Sequence, residues 1–198
     1  MTDHPQLTFY YGPMGAGKST FALQTHFNQT RQGRAGLLLT KLDRSGDARV
    51  TSRIGIESPA IDVGDDDIYE IFTRHHSDRR LDFIVCDEAQ FLTPAQVENL
   101  TCIVDNDRID VFAYGLLTDF RSVLFPGSAR LMELADTAHR MQAVVLCWCG
   151  RTAFLNARVV GGRLARTGEL VAVGDTKDGP VVYQTLCRRH YLQGRLAQ

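Results

Sequence analysis

"FYYGPMGAGKST", residues 9–20, decides the fold. A short apolar and aromatic run, Leu7 to Tyr11, stops at Gly12-Pro13. A segment of helical spacing, Lys18 to Arg31 with Phe21, Leu23 and Phe27, begins on the far side. Between them, residues Gly12 to Ser19 fit the pattern G-x-x-x-x-G-K-[ST]. Between a strand and a helix, such a loop turns its backbone N–H groups inward around phosphates, and the helix N-terminus adds its positive dipole end. Lys18 is placed for the β and γ phosphates of a nucleoside triphosphate, and Ser19 for Mg²⁺. The stretch leaves the recipient of a phosphate open: water, another protein or a small molecule.

Further strands follow from apolar runs of buried-strand length: "AGLLLT" (35–40), "DFIVCD" (82–87), "DVFAYGL" (110–116) and "AVVLC" (143–147). Thr93 reads as an N-cap, with Pro94 at the first helical position and Gln96 closing a capping box, so a helix is predicted from Thr93 to about Val104. A second helix is predicted from Asp65 to His76, its acidic start favoured by the helix dipole. Strands alternating with helices give an α/β class with a mainly parallel sheet covered on both faces. Residues 40–60 are polar and Gly-dotted, and read as a loop with a hairpin or short elements. From about Met141 the chain becomes rich in Gly, Val and Arg, which divides it into a core at 1–141 and an appended subdomain at 142–198.

Two more constellations carry chemistry. "FIVCDEAQF" (83–91) ends a strand in Asp87, in the manner of an aspartate holding Mg²⁺ beside a phosphate loop. Glu88 follows at the carboxyl end of that strand, where ligands bind in open α/β sheets, and could position water or take a proton from an acceptor hydroxyl. Late in the chain, Cys147-Trp148-Cys149 and Cys187-Arg188-Arg189-His190 form a Cys₃His set suited to tetrahedral Zn²⁺, structural rather than catalytic because no position is left open. Cys86 and Cys102 lie in apolar contexts and read as buried thiols.

The 198-residue chain is 44% apolar and 23% charged, ordinary for a soluble globular protein. Its formal net charge of -1 supplies no bulk basic field for nucleic acid. No apolar run is long enough to span a membrane, and the N-terminus lacks a signal-peptide layout, so a cytoplasmic protein with reduced or metal-bound cysteines is expected.

Taken in order, "GPMGAGKST", "DEAQFL", "YGLLTDFRSVLFPGS", "CWCGRTA" and "VVYQTLCRRHY" resemble stretches of the type II thymidine kinases, and the likeness spans nearly the whole chain. The resemblance implies a recombinase-type P-loop core carrying a small zinc-stapled subdomain whose lasso loop folds over a nucleoside. It implies transfer of the γ-phosphoryl of ATP to the 5′-hydroxyl of thymidine or deoxyuridine, with Mg²⁺, in nucleotide salvage. A homotetramer inhibited by dTTP, with no nucleic-acid or membrane partner, is the family expectation.

Residue by residue, the resemblance makes Glu88 the catalytic base. It assigns Gly12, Pro13, Met14, Gly15, Ala16, Gly17, Lys18, Ser19, Thr20, Asp87 and Arg44 to ATP, and Ser19, Asp87 and Asp43 to Mg²⁺. Met14, Phe91, Leu116, Phe120, Phe125 and Tyr183 match nucleoside-pocket positions, and Asn156 falls near a position often held by threonine beside the base. The lasso stretch departs from the family pattern: Val171 to Tyr183 reads "VAVGDTKDGPVVY", with Asp175 after a single Gly174 and extra residues before Tyr183. Three other readings stay open at this point: a kinase for another nucleoside, a recombinase-like ATPase using the zinc module to bind nucleic acid, and a non-catalytic nucleotide-binding regulator.

Overall fold

The computed structural model describes residues 4–41, 48–168 and 181–197. In chain order these residues form β1 (Leu7–Tyr11), α1 (Lys18–Arg31), β2 (Gly36–Thr40), β3 (Arg49–Thr51), β4 (Glu57–Pro59), β5 (Ile61–Asp62), α2 (Ile68–Asp78) and β6 (Phe83–Cys86). A 3₁₀ turn (Ala89–Phe91) leads to α3 (Pro94–Asp107), β7 (Asp110–Gly115), α4 (Pro126–Leu134), β8 (Thr137–Arg140), β9 (Leu155–Val160), β10 (Arg163–Leu164), β11 (Val181–Leu186) and α5 (Arg188–Gln193).

Six strands make one sheet in the order β5-β2-β6-β7-β1-β8, with every pairing parallel. Parallel strands need crossovers, and the crossover helices bury both faces of the sheet. Successive residues of β6 therefore serve opposite faces. Ile84 and Cys86 pack with Ile68, Phe72, Leu100 and Ile103 of α2 and α3, whereas Phe83 and Val85 pack with Ala22 and Leu23 of α1. The carboxyl ends of β1, β6 and β7 are neighbours in the sheet order, so the loops that follow them converge on one crevice.

Local chemistry explains the helix starts. At α3 the Thr93 hydroxyl accepts from Gln96 N at 3.2 Å while Gln96 Oε1 accepts from Thr93 N at 3.1 Å, the reciprocal capping read from the sequence. The helix runs three residues past Val104, to Asp107. α2 starts at Ile68, later than the sequence predicts, because Asp67 acts as the N-cap and its side chain accepts from Glu70 N.

Two expectations are corrected. "AVVLC" is no strand: Val144 is 71% and Leu146 57% exposed, and Leu146 makes only an isolated bridge to Thr152. The sixth strand is β8, a polar segment at the sheet edge beside β1; an edge strand covered on one side carries no apolar run to read. Cys102 is exposed on α3, because the apolar residues around it, Leu100, Ile103 and Val104, take the core-facing positions, whereas Cys86 is buried as expected.

The second sheet is antiparallel, β10-β9-β11, and packs with α5 around Ala153, Leu155, Ala157, Leu186 and Tyr191. Residues 40–60 hold the β3–β4 hairpin where the sequence suggests one. Among the described residues, no helix is long and apolar enough to cross a membrane.

Candidate active site

The phosphate loop is held by its own backbone. Gly12 N donates to Gly115 O at 3.3 Å, tying the loop to the end of β7, and Ala16 N donates to Pro13 O at 3.2 Å. Gly17 caps α1 with φ 76°, a left-handed conformation that costs a residue with a Cβ energy but costs glycine little. The Lys18 ammonium folds back onto Pro13 O at 3.1 Å. Burial lowers its pKa, against the opposing pull of the Glu88 and then the Asp87 carboxylates, while Arg53 lowers it further.

Asp87 follows the last residue of β6 and is 3% exposed. Burial, then the neighbouring Glu88 charge, push its carboxyl up to about 6, and a hydrogen bond from the Ser19 hydroxyl works in the other direction. Its Oδ1 is buried with no hydrogen-bond partner. An orphaned carboxylate oxygen beside a phosphate-loop serine fits a divalent cation with hard oxygen ligands, so Ser19 and Asp87 suit Mg²⁺.

Glu88 has φ 53° and ψ 32°, a left-handed backbone on a residue with a side chain. Such conformations cost of order 1–3 kcal/mol and persist only where the surroundings impose them. Here the surroundings are Gln90 and α4. Buried Gln90 donates from Nε2 to Glu88 Oε2 and accepts at Oε1 from Leu116 N at 2.9 Å, bridging the carboxylate to the end of β7. At Gly127 the first turn of α4 lies against the same segment: a Cβ there would sit 2.5 Å from Leu92 O and 2.7 Å from Ala89 O. Only glycine permits that approach.

A cavity of about 420 Å³ opens over these groups, within the range of small-ligand sites. Lys18, Ser19 and Glu88 form one part of its wall, and Met14, Phe91, Leu116, Phe120, Phe125 and Tyr183 another. The Phe91 and Phe125 rings meet edge to face at 5.5 Å. Phe120 stands in a turn organised by buried Asp119, which accepts from Arg121 N at 2.8 Å and Val123 N at 3.0 Å and pairs with the Arg121 guanidinium. The cavity thus collects the sequence-predicted Met14, Gly15, Gly17, Lys18, Ser19, Thr20 and Glu88 together with all of the predicted nucleoside-pocket residues, whereas Gly12, Pro13, Ala16 and Asp87 do not line it. Asp43, Arg44 and the Gly174–Asp175 part of the lasso lie outside the described residues.

The antiparallel sheet reaches into this site. Asn156 on β9 and Thr185 on β11 are cross-strand partners. Asn156 Oδ1 accepts from Met14 N at 2.8 Å, and the Thr185 hydroxyl donates to Met14 O at 3.4 Å. The tip of the phosphate loop is therefore gripped from the second sheet. Below it, Cys147, Cys149, Cys187 and His190 present ligand atoms within 4.8 Å of one another, a group that could hold a metal ion. Burial works to raise the Cys147 thiol, but hydrogen bonds from Cys149 N, Cys187 N and His190 outweigh it and bring it to about 6. At Cys149 a backbone hydrogen bond from Arg151 is outweighed by burial and the neighbouring thiols and the pKa is raised, so the cluster's negative charge gathers on Cys147. Tyr191, next to His190, donates its hydroxyl to Phe120 O at 2.7 Å, joining the metal-ligand helix to the pocket floor.

Gln90, Asp119 and Thr185 had not been singled out from the sequence. Gln90 and Asp119 did carry one signal, a polar residue among apolar neighbours of the kind that is buried only when hydrogen-bonded. Thr185 carried none, because its role rests on a contact 171 residues away.

Comparisons with known proteins point the same way as this geometry. The sequence profile of the family described as "Thymidine kinase" matches residues 5–191. Similar proteins include a "Thymidine kinase" of Streptomyces coelicolor, 47% identical over 191 residues, covering 94% of this chain and 88% of that protein. Another, from Cutibacterium acnes, is 48% identical over 192 residues, 96% of this chain and 89% of the relative. A third, from Shewanella oneidensis, is 42% identical over 94% of this chain and 96% of its own length. A likeness of that extent, carried by a chain that folds a phosphate loop beside a strand-end Asp-Glu pair and also brings a Cys₃His group together, shows that the protein belongs to the thymidine kinase family.

Proposed function

We infer that this chain is an ATP-dependent thymidine kinase, moving the γ-phosphoryl of ATP to the 5′-hydroxyl of thymidine, and of deoxyuridine, to give the monophosphate for nucleotide salvage. One observation carries the mechanism: Lys18 and Ser19 share a single cavity with Glu88 and with the aromatic side chains Phe91, Phe120 and Phe125. Donor phosphates and a nucleoside whose base ring lies against the aromatic faces can therefore lie within reach of one carboxylate.

The backbone N–H groups at the start of α1 and the Lys18 ammonium hold the triphosphate. Ser19 and Asp87 would hold Mg²⁺, which would supply neutralising charge to the donor phosphates. Glu88, held by Gln90, accepts the proton of the 5′-hydroxyl as its oxygen bonds to the γ phosphorus. The bond from that phosphorus to the β–γ bridging oxygen breaks, and its electron pair leaves with ADP. Met14, Leu116 and Tyr183, with the aromatic rings, exclude water and fix the nucleoside, so that rate comes from positioning and electrostatics. The Cys₃His group, all of whose ligands lie in the 142–198 subdomain, holds Zn²⁺ structurally and staples that subdomain internally, and Asn156, Thr185 and Tyr191 join it to the 1–141 core. A cytoplasmic homotetramer under feedback by dTTP completes the proposal.

A nucleoside panel with ATP, scored for monophosphate formation, tests it: thymidine and deoxyuridine should be phosphorylated ahead of deoxycytidine and purine nucleosides. Glu88→Gln should bind both substrates and lose most of the turnover, roughly 100-fold or more for a positioned base. Preferred phosphorylation of a purine nucleoside, or near-normal turnover in that variant, would contradict the assignment.

A further inference from the structure

We propose that Arg53, at the tip of the β3–β4 hairpin, contacts the terminal phosphates of bound ATP and balances the charge of the phosphoryl group in transit; this rests on the kinase function above.

The hairpin is rooted and its tip is presented. Val50 in β3 is 2% exposed and packs with Leu38, Val85 and the α1 residues Ala22 and Leu23, so the arm rises from the core beside the phosphate-loop helix. Ser52 is also buried, and it closes the turn three ways. Its N donates to Ile56 O at 2.8 Å, its Oγ accepts from Ile56 N at 3.1 Å, and its O accepts from Gly55 N at 3.0 Å. Those bonds hold the chain on either side of Arg53 and Ile54, and both residues line the cavity that Lys18, Ser19 and Glu88 line.

Charge distinguishes the two arginines of this arm. Arg49 is neutralised across the hairpin by Glu57 at 2.8 Å. Arg53 makes no hydrogen bond or ion pair with any described residue, yet its charge is felt by Lys18. Two cations facing one space repel each other until a polyanion lies between them, so the arrangement favours a triphosphate with Lys18 on one side and Arg53 on the other. During transfer the γ-phosphoryl separates from ADP and negative charge collects on the departing oxygen. A guanidinium meets that change with a planar pair of donors and keeps its proton throughout. Arg53 is thus a catalytic residue in the strict sense, touching substrate.

The test compares wild type, Arg53→Ala and Arg53→Lys. In steady-state assays with ATP and thymidine, Arg53→Ala should lose about 100-fold in kcat/KM for ATP, the scale of removing one preorganised charge-stabilising donor. Arg53→Lys should recover part of the loss. The thermal midpoint and the KM for thymidine should stay at wild-type values. Binding is measured separately with fluorescent ATP and ADP analogues: Arg53→Ala should weaken ATP more than ADP, since only ATP carries the γ-phosphate. Wild-type kcat/KM in Arg53→Ala, or equal effects on ATP and ADP, overturns the proposal. A wild-type protein that binds ATP but does not phosphorylate thymidine would instead count against the kinase assignment, and the ATP/ADP comparison would still decide Arg53.

Discussion

Replacing Asn156 by alanine tests whether the second sheet sets the shape of the phosphate loop. The substitution removes the carbonyl that accepts from Met14 N at 2.8 Å, in a side chain 4% exposed. A lost partner at a buried donor costs about 1–3 kcal/mol, and because Met14 is only half-buried, water can meet part of the need. The lower part of that range, about 1–2 kcal/mol, is a factor of roughly 5–30. Thr185→Val removes the longer contact at 3.4 Å. Near the limit of hydrogen-bond geometry, that contact should be worth no more than about 0.5 kcal/mol, about twofold. Met14 stands between the phosphate-loop glycines and also lines the nucleoside cavity, so its release should affect both substrates. Asn156→Ala should therefore raise the KM for ATP and for thymidine together, with bound metal unchanged because no Cys₃His ligand is altered. The two substitutions grip one residue, so their double mutant should show non-additive effects. Steady-state kinetics with both substrates, together with the thermal shift induced by ATP, measure all of this. Wild-type KM values for both substrates in Asn156→Ala, with an undiminished ATP-induced shift, would refute the idea that the second sheet shapes the loop.

Two other outcomes follow from the metal group and from a buried tyrosine. Cys187→Ser should release the metal and loosen α5, and through Tyr191 and Phe120 it should raise the KM for thymidine more than that for ATP. The single tryptophan, Trp148, stacks on His190 at 4.2 Å, so its fluorescence should change as a chelator strips the wild-type protein; metal analysis showing no zinc in clean wild-type protein would remove the basis for both effects. Burial pushes the Tyr114 hydroxyl up to about 12, against an opposing hydrogen bond with Thr25. An unfolded tyrosine ionises near 10, so the contribution is fully present below about pH 10 and is lost as pH rises toward 12, on the order of 2 kcal/mol. Denaturant titrations from pH 9 to 11.5 should show that slope in wild type and a flatter one in Tyr114→Phe.

Much was legible in the sequence because it is local. β1, the phosphate loop and α1 are contiguous, and their glycine spacing, strand-to-helix setting and apolar pattern lie within 25 residues, from Leu7 to Arg31. The capping box of α3 is a four-residue rule, and the Cys-x-Cys and Cys-x-x-His pairs carry their metal chemistry in their side chains. The central strands β2, β6 and β7 announced themselves because parallel strands buried on both faces are apolar throughout. The same rule misled at "AVVLC", an apolar run whose Val144 and Leu146 face solvent while Val145 and Cys147 pack on the second sheet's core, and passed over β8, a polar run that pairs at an edge.

The tertiary structure decided which of these parts act together. That Asn156 and Thr185 hold the loop at Met14, that Tyr191 reaches Phe120, and that Gln90 bridges Glu88 to Leu116 depends on contacts between distant segments, where residue type alone says little. It also set the left-handed backbone of Glu88, which no propensity favours and which the packing of α4 at Gly127 and the bridge through Gln90 hold in place. The sequence by itself determined a phosphate-holding α/β core and a four-ligand metal group, since both are written in short-range residue chemistry. Only the fold could gather the phosphate-loop residues, Glu88 and the aromatic rings around one cavity and link the Cys₃His group to it through Tyr191 and Phe120, because that placement rests on the crossover order of the parallel sheet and on hydrogen bonds from the second sheet and α5.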